Sequence, residues 1–196
     1  MISSIVLAAG LSERFGSPKA IAQLDKETIF ERIQKMLLNS IVEEIIIVLG
    51  AHQKELKPFI LKHKKVRFVY NKDYNLGQTS SFQEGLRHVS ALCQGALLLP
   101  VDYPLVQSTT IDQLCNVFLE KTPTILVPCY QRMKGHPPIF HKRIRSELLN
   151  LESNSGINTI VRKHKEDELL LEVSDAGVLT TFNTPEEFEK IQDKIK

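Results

Sequence analysis

The chain has 196 residues, of which 42% are hydrophobic and 24% charged, and its formal net charge is +2. These values are typical of one soluble globular domain, which we expect to span residues 1–196. The small net charge excludes a strongly basic nucleic-acid binder or a protein that adheres to acidic membranes, and no apolar run approaches the roughly 18 residues of a membrane span. Three widely spaced cysteines without a CxxC pair, and a start without a basic leader, predict a cytoplasmic protein with reduced thiols.

Strand-like and helix-like segments alternate along the chain. The predicted strands are Ile5–Ala9, Ile45–Leu49, Val66–Tyr70, Ala96–Pro100, Ile125–Pro128 and Leu169–Val173. Apolar stripes at helical spacing predict helices over Thr28–Leu38 and Ser80–Leu92. This alternation predicts an α/β fold with a largely parallel sheet covered on both faces. We expect residues 131–158, rich in Gly, Pro and polar side chains, to form a β-rich flap and a helix over the open end of the sheet.

The segment after the first strand has the composition of a phosphate-binding loop. Small residues, Ala8, Ala9 and Gly10, allow a ligand to approach the backbone and leave amide hydrogens free to donate to an anion. Arg14 and Lys19 follow and add full positive charges. The spacing of Gly10, Gly16 and Lys19 matches neither the Walker A loop nor the GxGxxG dinucleotide motif. An ordinary turn with solvated charges is the alternative.

An aspartate follows the fourth predicted strand. Asp102 stands in the run Leu99-Pro100-Val101-Asp102-Tyr103-Pro104, between two prolines that restrict its backbone. Mg²⁺ prefers oxygen ligands and is commonly held by one or two carboxylates together with substrate phosphates. We therefore predict that Asp102 is a metal ligand; the alternative is a turn or N-cap aspartate.

Two further polar segments lie where a substrate could reach them. Residues 77–81 (Gly-Gln-Thr-Ser-Ser) precede a helix, and Thr79, Ser80 or Ser81 could cap it, contact a ligand, or do both. The segment Gly135-His136-Pro137 is stiff, and His136 could contact an anionic acceptor or be structural.

In this order, the motifs resemble those of the MobA-like NTP transferase family, and most closely its molybdenum cofactor cytidylyltransferases. The resemblance rests on Leu7–Lys19, Asn71–Leu86, Leu99–Val106, Gly135–Phe140, Ser155–Val161 and Asn183–Phe188. It implies a three-layer α/β/α Rossmann-like fold with a mostly parallel sheet, and Mg²⁺-dependent transfer of a nucleoside monophosphate.

The resemblance also implies a role for individual residues. The nucleotide would be bound by Leu7, Ala8, Ala9, Gly10, Ser12, Arg14, Lys19, Gly77, Gln78, Ser80 and Ser81. Arg14, Lys19 and Asp102 would be catalytic, with Asp102 on the metal, and Gly135, His136 and Pro137 would lie near the acceptor. The run Ala8-Ala9-Gly10 is similar to the cytidylyl branch, because guanylyl relatives more often carry a second glycine there.

One departure concerns the C-terminal motif. Asn183-Thr184-Pro185 stands where many relatives have Asp-Thr-Pro, so Asn183 offers a neutral oxygen and weaker metal binding if that aspartate supports the metal. The interpretation that we favour is structural, with Pro185 in the first turn of a helix.

The expected reaction is transfer of CMP from CTP to the terminal phosphate of molybdopterin with release of pyrophosphate, and a molybdoenzyme is a possible client. Guanylyl transfer to the same acceptor, or nucleotidyl transfer to a sugar or polyol phosphate, are alternatives. A catalytically weak nucleotide-binding or pterin-binding protein is an alternative of another class.

Overall fold

A computed structural model describes residues 1–152 and 155–193. Its strands are β1 (Ile2–Ala8), β2 (Gln23–Leu24), β3 (Glu27–Thr28), β4 (Glu44–Leu49), β5 (Val66–Tyr70), β6 (Gly95–Pro100), β7 (Ile125–Tyr130), β8 (Met133–Lys134), β9 (Ile139–His141) and β10 (Glu168–Glu172). Its α-helices are α1 (Ile29–Leu38), α2 (Gln53–Leu56), α3 (Gln78–His88), α4 (Ser108–Lys121), α5 (Arg145–Leu149), α6 (Asn158–Lys163) and α7 (Pro185–Asp193). The six predicted strands are all present, with ends that differ by a few residues.

The main sheet has the strand order β10-β7-β9-β6-β1-β4-β5, and β8 pairs with β7 outside this path. The pairs β6–β1, β1–β4, β4–β5 and β7–β10 are parallel. The central strands β1, β4 and β6 are buried along their whole length, as expected for continuous apolar runs in a parallel sheet. The edge strands β5 and β10 are partly exposed.

Helices cover both faces of this sheet. Along β1, Ile2, Val6 and Ala8 pack into one core, and Ile5 and Leu7 into the other, since successive side chains of a strand point to opposite faces. The first core contains side chains of α1, α4 and α7, and the second contains side chains of α3, α5 and α6. The fold is therefore the expected three-layer α/β/α arrangement.

Helices α1 and α3 show how local sequence sets the boundaries. Thr28 caps α1 through a capping box with Glu31, and the predicted range is confirmed to within one residue. Helix α3 runs over Gln78–His88, so the predicted end at Leu92 was wrong: Val89 is already extended, with a ψ of 147°. The apolar side chain of Val89 is still buried, so it continues the apolar stripe from which the longer helix was predicted.

The predicted flap over residues 131–158 was also wrong. Strand β9 lies inside the main sheet, antiparallel between β6 and β7, instead of above its open end. Its apolar residues Ile139 and Phe140 are fully buried, because a strand in the middle of a sheet has both faces covered. Helix α5 packs against α3 in the second layer. Residues 153 and 154 of this segment lie outside the described residues.

Parallel pairing brings two loops together. Leu7 of β1 pairs with Pro100 of β6, so the loop after β1 and the aspartate after β6 leave the same edge of the sheet side by side. Ligands of open α/β sheets bind at this edge. None of the helices in residues 1–152 and 155–193 has the length and apolarity needed to cross a membrane.

Candidate active site

The loop between β1 and the short ribbon β2–β3 presents unpaired amides. Within the described part of the chain, the backbone N–H groups of Gly10, Leu11 and Ser12 donate to no acceptor of the protein. Ser12 has a left-handed backbone, with φ 55°, and its carbonyl accepts from the amides of Phe15 and Gly16. A non-glycine residue with positive φ often marks a functional turn. The loop is thus a concave row of free donors that suits an anion.

Residues 50–52, which follow β4, contact the backbone of this loop. The amide of Ala51 donates to the carbonyl of Ala9 at 3.2 Å, and His52 Nε2 lies 3.0 Å from the carbonyl oxygen of Leu11. A Cβ at Gly50 would stand 2.4 Å from the Ala9 carbonyl oxygen, so the two backbones approach too closely for any other residue. These contacts occupy the carbonyls of Ala9 and Leu11 and fix the backbone of the loop.

Two cationic side chains and one side-chain amide oxygen lie together next to this loop. Lys19 Nζ donates to Asn183 Oδ1 at 2.9 Å and to the Phe182 carbonyl at 3.0 Å. Arg14 Nη2 donates to the same Asn183 oxygen at 3.0 Å. The backbone amide of Lys19 donates to Ser12 Oγ at 3.3 Å, which ties the ammonium to the loop. Positive charge is therefore gathered at one point although the residues are far apart in sequence.

Burial changes the titration of Lys19. Desolvation lowers the pKa of its ammonium below the ordinary value of 10.5, and the positive charge of Arg14 lowers it further. The negative charge of Asp102 opposes this shift and raises the pKa. Lys19 is thus a partly desolvated cation between an arginine and an aspartate, and a bound polyanion would stabilise its charged form.

One carboxylate oxygen of Asp102 has no hydrogen-bond partner among the residues that the structure describes. Its Oδ1 is buried and makes no hydrogen bond in the structure, although buried carboxylate oxygens are normally paired. A divalent cation is one group that would satisfy it, so the residue fits the predicted Mg²⁺. No cluster of three or more His, Cys, Asp or Glu able to hold a metal exists in residues 1–152 and 155–193. The remaining ligands would then be substrate phosphates and water.

The loop amides, the two cations and Asp102 line one cleft of about 470 Å³, a size within the roughly 300–1,000 Å³ of ligand sites. Eleven of the predicted residues line it: Leu7, Ala8, Ala9, Gly10, Ser12, Arg14, Lys19, Gly77, Gln78, Ser81 and Asp102. The N-terminal end of α3 enters the cleft through Gly77 and Gln78, and no side chain caps its first amides.

Ser80 is not among the residues that line the cleft. Its hydroxyl donates to the carbonyls of Asp73 and Gly77 and accepts from Asn71 Nδ2 at 3.0 Å. Ser81 Oγ also accepts from Asn71, and Thr79 Oγ1 donates to the Ser155 carbonyl at 3.0 Å. Of the alternatives for these residues, capping of α3 was therefore wrong, because their hydroxyls bind carbonyls instead of helix amides.

The predicted acceptor segment Gly135-His136-Pro137 lies outside the cleft, beside Asp102. The His136 ring stacks on Tyr103 with centroids 4.5 Å apart, its Nδ1 is buried without a partner, and its amide donates to Val178 at 2.8 Å. Burial lowers the pKa of His136, and the charge of Asp102 partly opposes this. Burial, followed by the charge of Asp102, raises the pKa of Tyr103.

The sequence analysis missed two contacts of the site. It assigned no role to His52, and it favoured a structural role for the Asn183 motif. That role exists, since Glu187 N donates to Thr184 Oγ1 at 3.3 Å at the start of α7. The Asn183 side chain nevertheless contacts Arg14 and Lys19. In the sequence, Asn183 was marked by its place directly before a helix and by its departure from the Asp-Thr-Pro motif of many relatives. His52 had only its position after a buried strand.

The fold and this cleft define the class of protein: a Rossmann-like α/β protein with a cleft of free backbone amides and two cations at the carboxyl ends of its strands. Residues 4–168 match the family model described as MobA-like NTP transferase domain. The chain therefore belongs to the MobA-like NTP transferase family, and its class is nucleotidyltransferase.

Individual relatives agree with this membership. The chain is 28% identical over 196 residues to a protein of Geobacillus sp. (strain WCH70) named probable molybdenum cofactor guanylyltransferase, covering 97% of each chain. It is 23% identical over 187 residues to the molybdenum cofactor cytidylyltransferase of Escherichia coli K12, covering 95% of this chain and 93% of that one. The crystal structure of Rv0371c from Mycobacterium tuberculosis H37Rv has the same fold, with a TM-score of 0.85, 24% identity, and coverage of 98% and 97%.

Proposed function

We propose that this protein transfers a nucleoside monophosphate from a nucleoside triphosphate to the terminal phosphate of molybdopterin and releases pyrophosphate. The observation that carries the proposal is one cleft that contains free backbone amides, the cations Arg14 and Lys19, and the unpaired carboxylate oxygen of Asp102. Amides and cations suit a triphosphate, and a carboxylate suits the divalent cation that accompanies it.

The acceptor is proposed from the relatives. Two proteins that this chain matches over nearly its whole length carry names of molybdenum cofactor nucleotidyltransferases. A sugar or polyol phosphate remains the second candidate acceptor, because the sequence of the predicted acceptor segment Gly135-His136-Pro137 does not distinguish between the two.

The base is proposed from the first loop. Ala8-Ala9-Gly10 favours CTP, since the second alanine stands where guanylyl relatives more often have glycine. GTP has equal support from the relative named a guanylyltransferase. We therefore propose CTP or GTP as the donor, with the loop favouring CTP.

The reaction needs positioning and charge neutralisation more than covalent catalysis. A terminal phosphate oxygen of the acceptor attacks the α-phosphorus in line, and the bond from that phosphorus to the α–β bridging oxygen breaks. Pyrophosphate leaves with that bonding pair. An acceptor phosphate that is already ionised carries no proton to remove, so no general base is needed.

Each part of the cleft then has a task. The amides of Gly10, Leu11 and Ser12 bind phosphate oxygens, while Lys19 and Arg14 stabilise the charge that grows on the leaving pyrophosphate. Asp102 would hold Mg²⁺, which when bound neutralises phosphate charge. His52 keeps the loop in place.

The test is pyrophosphate release from purified protein supplied with Mg²⁺, molybdopterin and CTP, GTP, ATP or UTP in separate reactions. Release that requires molybdopterin, with CTP or GTP far above the other two, supports the proposal. If glycerol phosphate or a sugar phosphate supported pyrophosphate release in place of molybdopterin, the acceptor would instead be a polyol or sugar phosphate. Absence of release, with a nucleotide-dependent rise in melting temperature, would identify a binding protein instead.

A further inference from the structure

Strand β5 forms an open edge of the main sheet. It pairs with β4 on one side and stands last in the strand order. Two aromatic side chains on this strand are exposed, Phe68 by 45% and Tyr70 by 39%. An exposed edge strand with unpaired N–H and C=O groups is a template for pairing with another strand.

The register shows which backbone groups of β5 face outward. Lys65 O accepts from Ile45 N, and Asn71 N donates to Leu49 O, so residues 65 and 71 face β4. Orientation alternates along a strand, so the backbone groups of Arg67 and Val69 also face β4. The N–H and C=O groups of Phe68 and Tyr70 therefore point to the open side, on the residues whose side chains are exposed.

Positive charge is concentrated around this edge. Residues 54–73 contain seven Lys and Arg but only Glu55 and Asp73 as acids, while the net charge of the whole chain is +2. Five lysines there are exposed and have no ion-pair partner among the described residues: Lys54, Lys57, Lys62, Lys64 and Lys72. Lys57 Nζ lies 5.3 Å from the Phe68 ring centroid. The β5 edge thus combines outward backbone N–H and C=O groups, exposed aromatic rings and cations without ion-pair partners.

The edge continues to the rim of the nucleotide cleft. Tyr70 and Lys54 line a shallow hollow with Gly50 and Gln53. His52, between Gly50 and Gln53 in the chain, lines the cleft itself. A molecule on β5 would therefore stand next to the cleft opening without entering it.

We propose that the β5 edge is a docking site for an acidic, extended segment of a partner protein, which adds a strand to the sheet. A second copy of this chain is disfavoured because it would bring the same lysines against each other. The phosphates of a nucleic acid supply acceptors but no donors for the outward carbonyls of Phe68 and Tyr70. A peptide strand supplies both, and acidic side chains complement the lysines. The proposal does not rest on the nucleotide chemistry.

Lysines on an edge can also serve only to prevent aggregation, so the test must separate docking from protection. The probe is a fluorescent peptide of roughly ten residues that alternates Glu with Val, a length that matches an ordinary strand. Its control has Lys in place of every Glu, and a single-stranded oligonucleotide is the third probe. Binding is measured by anisotropy at low and high salt, with Lys62→Glu/Lys64→Glu as the charge variant.

A second pair of variants tests strand addition. Phe68→Pro removes an outward N–H without touching the ladder to β4, and Phe68→Ala removes the same ring but keeps that N–H. We expect the acidic peptide to bind, to weaken about tenfold in the charge variant, and to bind Phe68→Pro about tenfold more weakly than Phe68→Ala. Pyrophosphate release should be unchanged in Lys62→Glu/Lys64→Glu, which separates this proposal from the proposed function.

Three results would overturn the proposal. They are equal binding of the acidic and basic peptides, tight binding of the oligonucleotide without the peptide, and equal binding of a folded Phe68→Pro and Phe68→Ala. If Phe68→Pro does not fold, protection of the Phe68 and Tyr70 amides from hydrogen exchange by the acidic peptide decides the point. Unprotected amides would contradict strand addition.

Discussion

The amide oxygen of Asn183 lies 2.9 Å from Lys19 Nζ, although the two residues are 164 positions apart. The same oxygen accepts from Arg14 at 3.0 Å. A neutral amide binds both cations without cancelling their charge, so the cations stay available to an anion. An aspartate at this place would form ion pairs with them and compete with the ligand.

Asn183→Asp is therefore expected to weaken binding of tripolyphosphate about tenfold, measured by calorimetry without divalent cations. Asn183→Ala is the matched control, because it removes the hydrogen bonds without adding charge and should weaken binding less. If aspartate and alanine have equal effects, the charge argument fails and only the positioning of the cations matters.

Lys19→Ala and Asp102→Asn test one cation and the carboxylate of the cleft. Loss of one electrostatic contact to a transition state typically reduces the rate about 10²–10³-fold, and we expect that loss in each variant. Pyrophosphate release is the measurement, and circular dichroism with the melting temperature verifies the fold. Near-normal turnover of both folded variants would contradict the assignment. Lys62→Ala, an exposed lysine away from the cleft, is the control and should keep full activity.

The lowered pKa of Lys19 predicts how anion binding depends on pH. Because burial lowers the pKa below 10.5, the side chain loses its charge at a lower pH than an ordinary lysine. Affinity for tripolyphosphate should therefore fall as the pH rises towards 10.5, before an ordinary lysine would lose its charge. Lys19→Arg remains charged over this range and should lose far less affinity. Parallel curves for the two proteins would assign the pH dependence to another group.

The contact between His52 and the Leu11 carbonyl predicts that His52 contributes to nucleotide binding. His52→Ala removes the contact to the Leu11 carbonyl and should weaken nucleotide binding several-fold, because the free amides lose their fixed arrangement. His52→Gln can place an N–H near the former Nε2 and should recover most of the affinity. Thermal shift with nucleotide provides the measurement. Equal loss in both variants would mean that the imidazole ring itself, and not its hydrogen bond, is required.

The parts of the site that the sequence predicted correctly are those next to strongly apolar strands. β1 and β6 are buried runs, and parallel pairing forces the residues after them, such as Gly10 and Asp102, to one edge. Asn183 has no such local signal: its contact with Lys19 depends on how α7 packs in the first layer. β9 was missed because a three-residue strand after two prolines has too little pattern to indicate its place in the sheet.

His136 supplies the last prediction, on stability at acid pH. Burial lowers its pKa below 6.5, so the folded state disfavours the protonated ring more than the unfolded chain does. The free energy of unfolding is then unaffected by this group above pH 6.5 and decreases as the pH falls from 6.5 towards the folded-state pKa. His136→Phe keeps an aromatic ring against Tyr103 and removes the titration.

Urea denaturation across this pH range measures the effect. The wild-type protein should lose stability on acidification more steeply than His136→Phe, and the difference between them should vanish above pH 6.5 apart from a constant offset. Tripolyphosphate affinity should be nearly equal in both proteins at neutral pH, because His136 lies outside the cleft. An unchanged slope in His136→Phe would place the acid sensitivity elsewhere, and a large loss of affinity would mean that the histidine acts on the cleft through Asp102.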